Sequence, residues 1–541
     1  MRQSPLTQRN ARPLVMGRHG AVACGHPAAA LVGIDVLRAG GNAVDAATAV
    51  SMALGVVEPH MSGLGGDGFF HVVGGRSGRS VVYNGAGAAP LSASPERFPD
   101  GIPERGAPAA STPGLLAAVG AMHARHGRRP WRDLVAPAVE LARDGVAVTH
   151  NYRRFAGSNR DPLRRDEELH RVYLCGADGA PPVGALLVQD ALAATLREIA
   201  DGGAETFYRG SLGRRIAAGI AAARGLVGDA DLAACRHEQQ APIAVTYRGF
   251  EVRQTPPNSM GFTLLQGLRI LERFDVRRLG WGSAALLHLI VEARKRAFVD
   301  RERFAGDPRD VAIPLDRLLS EETARLHAAA IDPDRAAGIP AGGWGQKGDT
   351  SYFCVVDRVG NAVSAIQSLG TPFGAACLAG DTGILLNNRM THWTLEPGHP
   401  NRLAPGRRVR QTMTAPIILR DGRFWAAFGT PGGDHQVPVL LMIVLGLIDF
   451  DMDPQALLEA PRPMIIAPRN RPGVSRDDEE LVAIERDIGA EAMEGLAARG
   501  HRVAGASVRA GAGGVSLIRM LDNGVRVAAT DPRMDGWAAA Y

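Results

Sequence analysis

Lysine is nearly missing from this chain: of 61 lysines and arginines only Lys295 and Lys347 are lysines, so arginine carries almost all the positive charge. A nucleic-acid binder clusters its basic residues and interleaves them with aromatics. Here the arginines are scattered among 56 acids and the formal net charge is only +5, which argues against a nucleic-acid partner. Cysteine is scarce too. Cys24, Cys175, Cys235, Cys354 and Cys377 stand far apart with no CxxC pair, which argues against a disulfide framework and a thiolate zinc site. The longest apolar run, Val437 to Ile448, is well short of the ~20 residues that cross a bilayer. The opening MRQSPLTQRNARPLVMGRHG has no apolar core of the roughly 7–15 residues that marks a secretory signal. The expectation is a cytoplasmic protein with no membrane partner. What remains is ordinary globular material, 45% hydrophobic and 22% charged, enough for a sizeable core.

Residues 1–16 read as a polar, unstructured lead-in. Pro27–Ala39 has helical spacing and stops at Gly40-Gly41, and Asn42 is placed to cap a second, alanine-rich helix reaching about Val57. Phe69–Tyr83 alternates on both sides of GGRSGRS and predicts a hairpin. Residues 110–335 are mainly helical, interrupted by a β-like piece, APIAVTYRGFEVRQTPP. The segment AAGIPAGGWGQKGD (336–349) is a glycine-rich loop. Beyond it SYFCVV, NAVSAIQSL, GILLNN, APIILR, RFWAAFG, VSLIRML and VRVAATD read as strands, with hairpin signals at Asp421-Gly422 and Asn523-Gly524. A helix-rich first part and a strand-rich second part therefore meet at a loop, as two domains would.

Thr350 stands at the end of that loop and opens a strand. A threonine hydroxyl is a poor nucleophile until a base takes its proton. As a chain terminus, Thr350 would carry its own base, because an α-amine with a pKa of about 8 is available near neutral pH. The same hydroxyl could first attack the Asp349 carbonyl, giving an ester that water opens. A strand-opening threonine is more often structural, and the pattern alone leaves both readings open. TPGGDHQ (430–436) follows the strand RFWAAFG, and its paired glycines could aim backbone N–H groups at an oxyanion; a plain turn would look the same. MSGLGGDGFF (61–70) is weak as a phosphate loop, since it lacks the Lys-Ser/Thr and the strand-to-helix setting.

These segments, taken in order, resemble one family. GGNAVDAATAVSMALGVVEPHMSGLGGDGF, STPG (111–114), LARDG (141–145), TYRGFEV with PPNSMG (246–261) and LHLIVEARKRAFVDRERFAGDP (287–308) match the γ-glutamyltranspeptidases. So do DTSYFCVVDRVGNAVS (349–364), GILLNNRM (383–390), GTPGGDHQ (429–436) and DPRMDGWAAAY (531–541). The resemblance implies an α+β fold, the four-layer αββα sandwich of the N-terminal-nucleophile hydrolases. It implies self-cleavage between Asp349 and Thr350 into a large fragment, 1–349, and a small fragment, 350–541. The two would stay together as a heterodimer building one structural domain, open to further dimerisation. It also implies that Thr350 is the nucleophile, that Gly432 and Gly433 form the oxyanion hole, and that Ser368 stands where a threonine assists maturation. No cofactor or metal is implied.

The substrate clamp departs from the family pattern. Pro95 stands where an arginine is expected, Gly370 for an asparagine, His392 for an aspartate and Arg389 for a glutamine. Gln411 and Thr412 replace two serines, with Arg410 just before them. Losing an anionic seat and gaining basic residues predicts a more cationic pocket. The expected substrate is a small carboxylated amide without an α-amine, hydrolysed rather than transferred to an acceptor, with Arg389, His392, Arg410, Gln411 and Thr412 as its contacts. Two alternatives stay open: a true γ-glutamyltransferase or glutathione hydrolase with an altered clamp, and an inactive relative acting as a binding protein.

Overall fold

The structure, a computed structural model, describes residues 10–338, 348–466, 480–507 and 513–541. The two early helices form where the apolar periodicity puts them. Pro27–Arg38 is capped by the His26 imidazole, and Ala43–Val57 by an Asn42 capping box closed by Asp45. That box satisfies backbone donors that would otherwise be orphaned at a buried helix start. The hairpin forms between Asp67–Val73 and Ser80–Gly85.

Two seven-stranded antiparallel sheets build the centre, and neither belongs to one side of the 336–349 loop. The strands Val15–Gly17, Ile243–Tyr247 and Phe250–Gln254 share a sheet with Ile417–Arg420, Arg423–Gly429, Ser516–Met520 and Arg526–Thr530. In the other sheet Asp349–Val356 lies between Ala21–Cys24 and Ala362–Gly370, and the latter pairs with Asp67–Val73. The apparent boundary between two domains thus runs through the middle of one interleaved sandwich.

Strand alternation sorts the core into layers. Tyr352, Cys354 and Ile366 pack between the sheets with Ile417, Ala427 and Ile518. Phe353, Val355 and Ala365 face the opposite way, against the helices 27–38 and 43–57. The sheet that holds Phe250–Gln254 and Ile417–Arg420 is covered by Gly261–Leu271, Ala284–Phe304 and Gln436–Ile448. Helix, sheet, sheet, helix is the expected αββα order.

Three expectations need correction. The lead-in is not unstructured throughout: Val15–Gly17 pairs with Arg526–Ala528, and Arg12 donates to Thr530 Oγ1 and to the carbonyls of Asp531 and Met534. Those bonds give an otherwise polar segment a fixed seat; residues 1–9 lie outside the described residues. GILLNN is not a strand. It makes isolated bridges, Leu386 to Gly65 and Leu385 to Leu378, and no continuous ladder among the described residues. The strand-rich part also carries helices, and the apolar run from Val437 is one of them, buried along its whole length. Of the 336–349 loop, residues 339–347 lie outside the described residues.

Candidate active site

Thr350 is 2% exposed at the start of its strand. Its neighbour Ser351 points to the helix side, where its hydroxyl donates to Glu58 Oε2 at 2.6 Å and receives a bond from Ser62 Oγ at 3.0 Å. Alternation puts Thr350 on the opposite face, between the sheets. Ser368 shares that inter-sheet face, two residues beyond Ile366, and its register partner in the hairpin strand is Asp67.

Ser368 bridges the junction itself. Its hydroxyl donates to the carbonyl oxygen of Asp349 at 2.6 Å and accepts the N–H of Gly370 at 2.9 Å. The oxygen that would become anionic if Thr350 attacked its own peptide bond is therefore already hydrogen-bonded. The glycine pair approaches the same segment: a Cβ built on Gly348 would lie 3.5 Å from Gly433 Cα and 3.6 Å from Gly433 N. Gly432 and Gly433 both take positive φ, 123° and 57°, a conformation that side chains disfavour.

The expected substrate contacts lie on the turn Arg389–His392 and the segment 408–414. Asn387 fastens that turn, donating to the carbonyls of Gly65 and Ser111 and accepting from Arg389 N. Gly370, with φ 110°, has no room for a side chain, because a Cβ there would lie 2.1 Å from Asn388 Oδ1. Asn388 thus fills the space that an asparagine at position 370 would occupy. Arg389, His392, Arg410, Gln411 and Thr412 are all buried. Pro95 opens a short 3-10 turn and brings no charge.

The pocket is less cationic than the residue types suggest. Arg389 Nε lies 3.6 Å from Asp67 Oδ2 and Arg410 Nη1 lies 2.9 Å from Glu302 Oε1. Burial, then the charges of Arg389 and Arg410, hold His392 neutral, well below its ordinary value. Burial alone would raise Glu302, but Arg410 and Arg301 hold it well below the carboxylate range. Both arginines thus lie beside an acid that belongs to one of the family-like segments. Arg389 nonetheless keeps loosely used donors: among the described residues its Nη groups meet His392 Nδ1 at 3.4 Å and Met413 Sδ at 3.5 Å.

Asp67 is the residue that sequence reasoning missed. It lies inside a family-like segment, and an acid in GGDG at a strand start is a usable signal. Its Oδ1 accepts from Gly87 N at 2.9 Å and its Oδ2 from Gln411 Nε2 at 2.7 Å. Burial pushes its carboxyl up to about 6, against the lowering influence of Arg389 and these hydrogen bonds. A separate buried trio, His288, Glu292 and His501, brings three ligand atoms within 4.8 Å of one another. It suits a cation poorly, because Lys295 and Arg296 already hold both oxygens of Glu292.

An αββα sandwich whose buried threonine opens a central strand beside a glycine turn is the architecture of the N-terminal-nucleophile hydrolases. Within that class the chain belongs to the γ-glutamyltranspeptidase family, whose model, Gamma-glutamyltranspeptidase, matches residues 29–541. It is 36% identical over 539 residues to the Acylase ACY 1 proenzyme of Pseudomonas sp. (strain SE83), covering 97% of this chain and 94% of that one. It is 34% identical over 544 residues to the Oxamate amidohydrolase proenzyme of Klebsiella pneumoniae, covering 97% and 98%. Among solved structures it resembles the cephalosporin acylase from Bacillus halodurans, with a TM-score of 0.88 and 30% identity over 100% and 99% of the two chains. The chain is an amidohydrolase of this family. No described helix is long and apolar enough to cross a membrane.

Proposed function

We propose that the chain is a proenzyme that cuts itself between Asp349 and Thr350 and then hydrolyses a small carboxylated amide through an acyl-enzyme on Thr350. The observation that carries this reading is the Ser368 hydroxyl on the Asp349 carbonyl at 2.6 Å, with Gly433 backbone against Gly348. In maturation, Thr350 Oγ attacks the Asp349 carbonyl carbon and the amide shifts to an ester. Water then opens the ester, leaving 1–349 and 350–541 as a heterodimer with interleaved sheets.

In turnover the freed α-amine takes the Thr350 hydroxyl proton as Oγ attacks the substrate amide. Gly432 and Gly433 receive the oxyanion. The ammonium returns the proton to the leaving amine, and water, activated by the same amine, resolves the ester. Arg389 is the seat for the substrate carboxylate, since its acid, Asp67, lies 3.6 Å away whereas Glu302 sits 2.9 Å from Arg410. Arg410, held by Glu302, His392, Gln411 and Thr412 shape the wall. Among relatives, the names acylase and oxamate amidohydrolase fit an acyl group that carries no α-amine.

A γ-glutamyl substrate is the second reading, favoured by the family and by Asp67 as an anion beside Arg389. Against it, Gly87, Gln411 and Arg389 already engage both Asp67 oxygens. A hydrolysis screen over γ-glutamyl, glutaryl and short oxo-acid amides separates the two. Amine-free amides should lead in kcat/KM, and leading γ-glutamyl turnover would install the second reading. A protein that turns over none and runs as one chain on a denaturing gel would be an inactive relative.

A further inference from the structure

Gly432 and Gly433 have no side chains and both sit at positive φ, so nothing in the pair itself fixes where its N–H groups point. The first side chain after them is Asp434, 4% exposed, in the 3-10 turn Gly433–His435. Arg301 Nη1 donates to Asp434 Oδ1 at 2.6 Å. Arg301 comes from the helix Ala284–Phe304, on the other side of the 349–350 junction, and is fully buried. Its guanidinium lies 3.9 Å over the Phe298 ring, and its Nε meets Glu302 Oε1 at 2.8 Å. Glu302 in turn holds Arg410. No step of the chemistry above uses Arg301.

We propose that Arg301 is a positioning residue that aims the Gly432-Gly433 turn through Asp434. The pair also ties the oxyanion turn of the small fragment to a helix of the large one, so the turn keeps its aim after the cut. A planar guanidinium clamped by a ring and two carboxylates is a rigid anchor, which a flexible ammonium would not reproduce. This inference rests on the oxyanion reading of the two glycines. A misaimed turn would weaken contacts to the tetrahedral oxyanion and leave ground-state binding alone, so kcat should fall while KM holds.

The test is kinetic, on Asp434→Asn, Arg301→Lys and Arg301→Met, each with its rate of precursor cleavage and melting temperature. Two inhibitors report the two states. A carboxylated alkylboronic acid, which becomes a tetrahedral anion when Thr350 Oγ adds to boron, needs the turn; the carboxylic acid product does not. Asp434→Asn should cleave its precursor more slowly, lose roughly 10–100-fold in kcat and in boronate affinity, and keep KM and product affinity within about threefold. Arg301→Lys should lie between Arg301→Met and wild type. Unchanged kcat and boronate inhibition in a folded Asp434→Asn protein would overturn the proposal, and so would equal losses of boronate and product binding. If Arg301→Met fails to fold, the near-isosteric Asp434→Asn still decides. Gly433→Val tells the two failures apart: dead Gly433→Val with normal Asp434→Asn sinks only the anchor, whereas an active Gly433→Val sinks the oxyanion reading too.

Discussion

Ser368 and Asp349 meet across two neighbouring strands, the hydroxyl of one on the backbone carbonyl of the other at 2.6 Å. The proposed cut falls directly after Asp349, so under that proposal the contact would exist in this form only in the uncut chain.

Removing that hydroxyl should slow maturation. Ser368→Ala leaves the Asp349 carbonyl without the donor seen here, and precursor cleavage should slow by about 10-fold or more, on the scale of one hydrogen bond to developing charge. Ser368→Thr keeps the hydroxyl and should mature. Time-resolved denaturing gels check both, and wild-type cleavage in Ser368→Ala would remove Ser368 from maturation.

Gly433→Val tests the glycine turn. A β-branched residue at φ 57° is strained, and loss of an oxyanion donor typically costs on the order of 10²–10³ in turnover. Steady-state kinetics of the folded, processed variant should find that loss in kcat. Turnover near wild type would mean the oxyanion is held elsewhere.

Arg389 and Asp67 give specificity a pH signature. Arg389→Ala should raise KM for a carboxylated amide by about 10–100-fold, with less effect from Arg410→Ala, whose charge is committed to Glu302. Asp67 has a carboxyl raised to about 6, so protonation below that pH removes the counter-ion competing for Arg389. KM for the anionic substrate should therefore fall as pH drops through about 6, and Asp67→Asn should flatten the dependence. KM profiles from pH 5 to pH 8 (roughly one unit below and two above that value) decide it, and a flat wild-type profile contradicts it.

Much of this was legible in the chain. The capped helix after Asn42, the hairpin across GGRSGRS and the strand that carries Thr350 follow from periodicity and turn residues, which are local. The αββα order and the candidate cut site came from the succession of family motifs. What sequence could not supply was partnership at long range. Arg389 and Arg410 read as added positive charge because Asp67 and Glu302 lie hundreds or about a hundred residues away. The run from Val437 gave no element type, since a helix buried all round has no polar face to mark its period. GILLNN has strand composition, but its pairing is limited to isolated bridges with Gly65 and Leu378, which composition does not reveal.

Glu58 offers a stability test of the layer beneath the strand that carries Thr350. Burial is the main cause that pushes its carboxyl from 4.5 up to about 7. A raised acid stabilises the fold below its unfolded pKa, and that contribution is lost as pH rises through the folded value. Glu58→Gln, which can still accept from Ser351, removes that loss. Relative to wild type it should gain up to about 3 kcal/mol between pH 5 and pH 8. Chemical denaturation at both pH values checks this, and a difference independent of pH would contradict it.

The central claim is that Thr350 becomes the amino terminus and then the nucleophile. Intact-mass measurement of the purified protein tests it most directly, on wild type and on Thr350→Ala. The account predicts two wild-type chains, residues 1–349 and 350–541, and one uncut, inactive chain for Thr350→Ala. A wild type that is active as a single chain, or that is cut elsewhere, would contradict it.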